Sequence, residues 1–178
     1  MTTGAWAQVN PTALTSPCTG TQGANLFPAG DFGSGATLIG AAVSAVPSAY
    51  TYTPQASLQP GYYTRTQNTN AAPCWFSHIA DNSGTSTGYF LFIDALETPA
   101  GTYNPIYTET ISGFIPNTTY NFSADIANMY VPCAGSSCCA NAATSFPRLQ
   151  FSVNGVVLYT MPAALTQAQA GQWLTQTF

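Results

Sequence analysis

The sequence predicts an all-β domain, a jelly-roll-like β-sandwich of about ten short antiparallel strands. Three observations carry that expectation. Short runs alternate apolar and polar side chains, Gly, Pro, Asn and Asp cluster between those runs, and no stretch combines helix caps with apolar residues at helical spacing.

The run Ile106 to Tyr130 is the expected centre of the fold. Tyr120, Phe122, Ala124 and Ile126 alternate with Asn121, Ser123, Asp125 and Ala127, as in a strand with one covered face. Ile106, Thr108 and Thr110 form a first arm against Tyr107, Glu109 and Ile111. Pro116-Asn117 marks a reversal, so the two arms are expected to pair as a hairpin. Such a hairpin is marginal alone and needs a second sheet.

Taken in order, residues 1–23 read as an extended lead-in or linker, and residues 24–178 as one β-sandwich domain. Asn25-Leu26-Phe27 is a first expected strand, closed by the Gly-rich turn around Asp31. Residues 37–46 are small and apolar, and suit a helix, a strand or irregular chain equally. Short strands are expected at Tyr50 to Thr53, Gly61 to Thr66 and Cys74 to Ile79. Tyr89 to Ile93 is apolar on both faces and so predicts a strand covered on both sides. Leu149, Phe151 and Val153 alternate before Asn154-Gly155, a strong hairpin signal, and Val156 to Met161 returns. Trp173 to Phe178 is a last strand in which the chain stops, so a final strand is expected to be lacking.

Composition narrows the function. Charged residues are 4 % of the chain, the net charge is −4, and Arg65 and Arg148 are the only cations among 178 residues. Nucleic acid and anionic membrane surfaces are therefore excluded as partners, because neutralising phosphates takes many cations. With 46 % hydrophobic and 13 % aromatic residues the chain is expected to fold, and no apolar run is long enough to insert in a membrane. Ala5-Trp6-Ala7 before Gln8 has the small-x-small form of the end of a secretory signal. Cys18, Cys74, Cys133, Cys138 and Cys139 fit that setting as disulfide candidates, with one left over and the pairing open. A zinc site recruiting His78 is the alternative, although the Cys133 to Cys139 spacing lacks paired C-x2-C knuckles.

Several segments taken together, CTGTQGANLFPAGDFGSG, PGYYTRTQNT, DNSGTSTGYFLFIDA, YTETISGFIPNTTYNFSADIAN, RLQFSVNGVVLY and GQWLTQTF, resemble an N-terminal carbohydrate-binding-like β-sandwich domain. Domains of that kind belong to large secreted bacterial surface proteins associated with gliding motility or type IX secretion. The resemblance spans roughly residues 17–178 and implies an extracellular, non-enzymatic domain for adhesion or glycan binding. It departs from the pattern in a long loop from Cys133 to Cys139 and in lacking the acidic pair of a last strand.

The residues add specific candidates. Flat aromatic rings are the usual platform for a polysaccharide or cell-surface glycan, and Tyr62, Tyr63, Trp75, Tyr103 and Trp173 are the contact candidates, each equally suited to a core. Calcium takes carboxylate and carbonyl oxygens from loops, which points to Asp31, Asp81 and Asn82, whose other expected role is turn capping. No cofactor is otherwise required. Catalysis is not expected: Asp94 with Glu97 reads as a loop edge, and Ser77 and His78, neighbours in a strand, face opposite ways. A second class of function is structural, in which an open strand edge recruits copies of the same chain into a filament or sheath.

Overall fold

The computed structural model describes residues 26–27, 30, 32–55, 58–69, 79–83, 85–96, 98–99, 102–129, 147–162, 165 and 171–177. These residues are all-β, with no helix and seven short strands. They are β1 (Thr51–Tyr52), β2 (Tyr62–Thr66), β3 (Phe90–Ile93), β4 (Ser123–Ile126), β5 (Gln150–Val153), β6 (Val156–Thr160) and β7 (Leu174–Thr177). The expected strand at Cys74 to Ile79 and the lead-in 1–23 lie outside the described residues, apart from Ile79. Residues 26–27 form no strand, and 37–46 are bends and turns rather than helix.

Three small sheets result: β1-β2-β3, β4-β7 and β5-β6. Strand β1 runs parallel to β2, and β2 pairs antiparallel with β3 with Thr64 opposite Phe92. The segment before β1 is stitched to this sheet by isolated bridges from Ser34 to Gly88 and from Ile39 to Thr66.

The sheets stack around three apolar layers. Tyr89, Leu91 and Ile93 point into the first, with Phe32, Val46, Tyr50 and Tyr63. Phe90 and Phe92, on the opposite face of β3, meet Leu58, Ala127 and Met129 in the second. Phe90, Leu91, Phe92 and Ile93 are all 0 % exposed, as a strand covered on both faces requires. Strand β4 repeats the arrangement. Ala127 and Met129 follow it into the second layer, while Ala124 and Ile126 face a third with Met161 and Leu165.

The expected hairpin between the arms of 106–126 does not form. The reversal at Pro116-Asn117 is present, with Asn117 at φ 59°, but β4 pairs instead with β7, Asp125 opposite Thr175. The first arm forms no named strand, and its Ile106 and Tyr107 pack on the first layer. The two arms thus pack in different layers. The hairpin β5–β6 does form as expected: Asn154 (φ 50°) and Gly155 (φ 77°) both take the left-handed backbone that a tight two-residue turn needs.

Two phenols are perturbed by this packing. Burial is the main cause for Tyr107, and its hydroxyl also donates to Glu109 Oε2 at 2.6 Å, so its pKa is raised well above the ordinary value. Burial likewise raises Tyr50, opposed by a backbone hydrogen bond with Leu96 and aided by the charge of Asp94. Both folded-state values lie above the unfolded one, so folding favours the neutral phenol. Stability is retained below pH of about 10 and falls as pH climbs from there through the folded pKa values. Melting curves between pH 8 and 11 are expected to show that fall, with a shallower slope in Tyr107→Phe.

Candidate functional site

The hairpin β5–β6 is docked on the β4–β7 sheet by Leu149, Phe151 and Tyr159, which pack on Ala124 and Ile126. Tyr159 donates its hydroxyl to Gln176 Oε1 at 3.0 Å, and Arg148 Nε donates to the Met161 carbonyl at 2.7 Å. Docking leaves the end of the hairpin facing the chain just before β4. Between them lies a shallow open cleft of about 460 Å³, lined by Phe114, Tyr120, Phe122, Val153, Asn154 and Leu158.

Its wall is aromatic, and the reversal at Pro116-Asn117 builds it. That turn folds Phe114 back on Tyr120, ring centroids 4.8 Å apart at 87°, and sets Phe122 at 6.2 Å from Phe114. Phe27 braces Phe122 from the side, edge-on at 5.9 Å. The Ile115 amide donates to the Tyr120 oxygen at 2.6 Å, which fixes the phenol and leaves its own proton to donate. Asn154 adds an exposed amide on the opposite rim. The lining contains rings, aliphatic groups, one hydroxyl and one amide, and no charged side chain. Such a surface suits a ligand with a flat apolar face and hydroxyls at its edge.

Among the described residues, the rings expected from the sequence are not brought together. Tyr62 is exposed at 38 % on β2, whereas its neighbour Tyr63, on the other face, is 5 % exposed. The Tyr63 hydroxyl donates to the Val43 carbonyl at 3.2 Å, so this ring is a core member with no face for a ligand. Trp173 packs edge-on against Phe90 at 5.5 Å and donates its indole N–H to the Ala80 carbonyl at 2.9 Å, a structural role. Tyr103 is half-buried, away from the cleft lining. Trp75 and the five cysteines Cys18, Cys74, Cys133, Cys138 and Cys139 lie outside the described residues, as do Asp31, His78 and Glu97.

The described aspartates are internal. Asp81, Asp94 and Asp125 are 5 %, 3 % and 1 % exposed, and Asp125 Oδ1 accepts the Thr175 hydroxyl across the β4–β7 ladder. Among the described residues no three His, Cys, Asp or Glu side chains gather as a metal cluster. Asp81 and Asn82 do lie together in one turn, where Ser83 and Thr85 donate their hydroxyls to Asp81 Oδ2.

Comparison with protein-family models, with curated proteins and with solved structures finds no significant match. The cleft therefore has to be read from its own chemistry. Phe114, Tyr120, Phe122 and Asn154 escaped the sequence reading, although one signal was present: FIPNTTYNF places rings on both sides of a Pro-Asn turn.

Proposed function

We propose that this chain is a non-enzymatic, extracellular surface domain that holds a polysaccharide or cell-surface glycan in the cleft between Phe114 and the β5–β6 hairpin. The observation that carries the reading is the lining itself, three rings with one hydroxyl and one amide at the edge. A sugar ring laid on Phe114 or Phe122 would bury its C–H face, and its hydroxyls would meet Tyr120 and Asn154. The domain is read as a jelly-roll-like sandwich, with the stacked layers around β3 and β4 as its support.

A neutral glycan fits better than a sulfated or uronic one. The chain has two cations, and both are engaged: Arg65 lies 4.8 Å over the Tyr89 ring, and Arg148 is bonded to Met161. A polyanion would meet a net charge of −4 and no counter-charge in the cleft. Secretion is consistent with the cysteine count and the scarcity of charge. No described helix is long and apolar enough to cross a membrane.

Affinity electrophoresis through gels loaded with neutral polysaccharides tests this. Retardation of the wild type is expected, with a loss of about tenfold or more in Phe114→Ala and Tyr120→Ala, as for removal of a stacking anchor. Phe114 is 41 % exposed, so its truncation costs little stability and separates binding from folding. Undiminished retardation in both variants would remove the cleft from the function.

A second reading, assembly of copies by strand addition, draws on β6. Val156, Val157 and Leu158 are 63 %, 49 % and 51 % exposed, and β5–β6 is a two-stranded sheet with unpaired outer edges among the described residues. A charge on an apolar edge blocks such pairing. Concentration-dependent light scattering is expected from the wild type under this reading and is abolished in Val157→Lys. A monomer at every concentration would dismiss it.

A further inference from the structure

We propose that the turn at Asp81 is a binding site for a single hard divalent cation, calcium by its ligand chemistry, with Asp81 Oδ1 as the anchoring oxygen. The side chain is 5 % exposed, and its two oxygens are treated very differently. Oδ2 accepts from the Ser83 hydroxyl and, at 3.4 Å, from Thr85. Oδ1 is buried with no hydrogen-bond partner. A carboxylate oxygen shut away from water without a donor is costly, and a charge-bearing one more so.

Nothing described nearby neutralises it. Arg65 is held over Tyr89, Arg148 is bonded to the Met161 carbonyl, and the chain has no Lys. The turn is built tightly round the acid nonetheless. The Gly88 backbone comes so close to Asp81 Oδ2 that any Cβ there would collide with the carboxylate, and the Gly88 amide donates to Thr85 Oγ1 at 3.1 Å. The structure thus holds one carboxylate oxygen fixed, buried and unsatisfied inside a loop whose other groups are hydroxyl, amide and backbone oxygens. Calcium prefers that donor set, because it takes six to eight oxygens in a pliable arrangement and tolerates water among them. Magnesium, which demands a near-ideal octahedron, fits such a turn poorly.

Trp173 supplies a local reporter. Its indole N–H is bonded to the carbonyl of Ala80, next in sequence to Asp81, so a terbium ion in the turn lies within range of sensitisation by that ring. The full chain is stripped with EGTA and titrated with terbium, then with calcium or magnesium. One sensitised terbium per chain is expected, displaced by calcium and not by equal magnesium, and its emission is lost in Trp173→Phe. Calcium at about 100 times its Kd is expected to raise the melting temperature by roughly 5–10 °C over EGTA, and Asp81→Asn removes that rise. No calcium-dependent shift and no retained terbium would overturn the site. So would emission that survives Trp173→Phe unchanged, since it would place the ion elsewhere. The terbium arms use wild-type turn residues, so they decide the matter even where Asp81→Asn fails to fold.

Discussion

Phe92→Ala is expected to cost about 3–5 kcal/mol, the range for truncating a fully buried ring. Phe92 is 0 % exposed in the middle of β3, where it meets Leu58, Phe90, Ala127 and Met129. The loss falls on a layer that joins two sheets, because Ala127 and Met129 follow β4 while Phe92 belongs to the β1-β2-β3 sheet. Small domains hold about 5–15 kcal/mol in total, so this one change removes a large share. In a chain of 178 residues the melting temperature is expected to fall by about 10 °C, read by calorimetry or denaturant titration. Phe114→Ala is the built-in control, a ring of the same size that is 41 % exposed and expected to cost under about 1 kcal/mol. Equal losses in the two variants would mean that the Phe90 and Phe92 face of β3 is not covered.

Gly88→Ala is expected to be nearly as damaging, about 3 kcal/mol or more, although it adds only a methyl group. The new Cβ would run into the Asp81 carboxylate, which cannot swing aside because Ser83 and Thr85 hold it. The backbone cannot retreat readily either, since Gly88 is bridged to Ser34. Relief requires breaking hydrogen bonds to a buried charged group, worth about 1.5–3 kcal/mol each. A double-mutant cycle isolates the cause: in an Asp81→Ala background the collision with the carboxylate is gone, only the approach to Thr85 Oγ1 at 2.8 Å remains, and Gly88→Ala is expected to cost less. Additive losses would put the damage at Thr85 or in the backbone instead.

What the sequence made legible was local. The hairpin β5–β6 rests on Asn154-Gly155, a turn whose backbone needs are met by two adjacent residues. The double burial of β3 was visible because Phe90 to Ile93 leaves no polar face. Pairing between distant segments was not visible. The alternation in residues 120–127 marked an extended run, of which 123–126 is β4, but alternation carries no information on which strand lies alongside. Sequence proximity suggested the arm at 106–111, whereas the partner is Leu174–Thr177. The same limit hid the cleft. Tyr120 and Phe122 share the parity of Ala124 and Ile126 and so read as core, yet the strand begins only at Ser123 and the rings before it turn toward Phe114. Candidate rings picked by residue type alone included Tyr63, which the opposite face of β2 buries.

The pairing of β4 with β7 sets the order in which the molecule can be assembled. Ile126 must find Leu174 across the intervening chain, whereas Val153 and Val156 meet across a two-residue turn. Closing a long loop is slower than zipping a hairpin, which takes microseconds. Because β4 lines the third layer and the residues that follow it line the second, neither is complete until that distant strand arrives. A chain synthesised from its N-terminus therefore stays unfinished until residues 174–177 are free to dock, so its second and third layers close only once that strand has been synthesised.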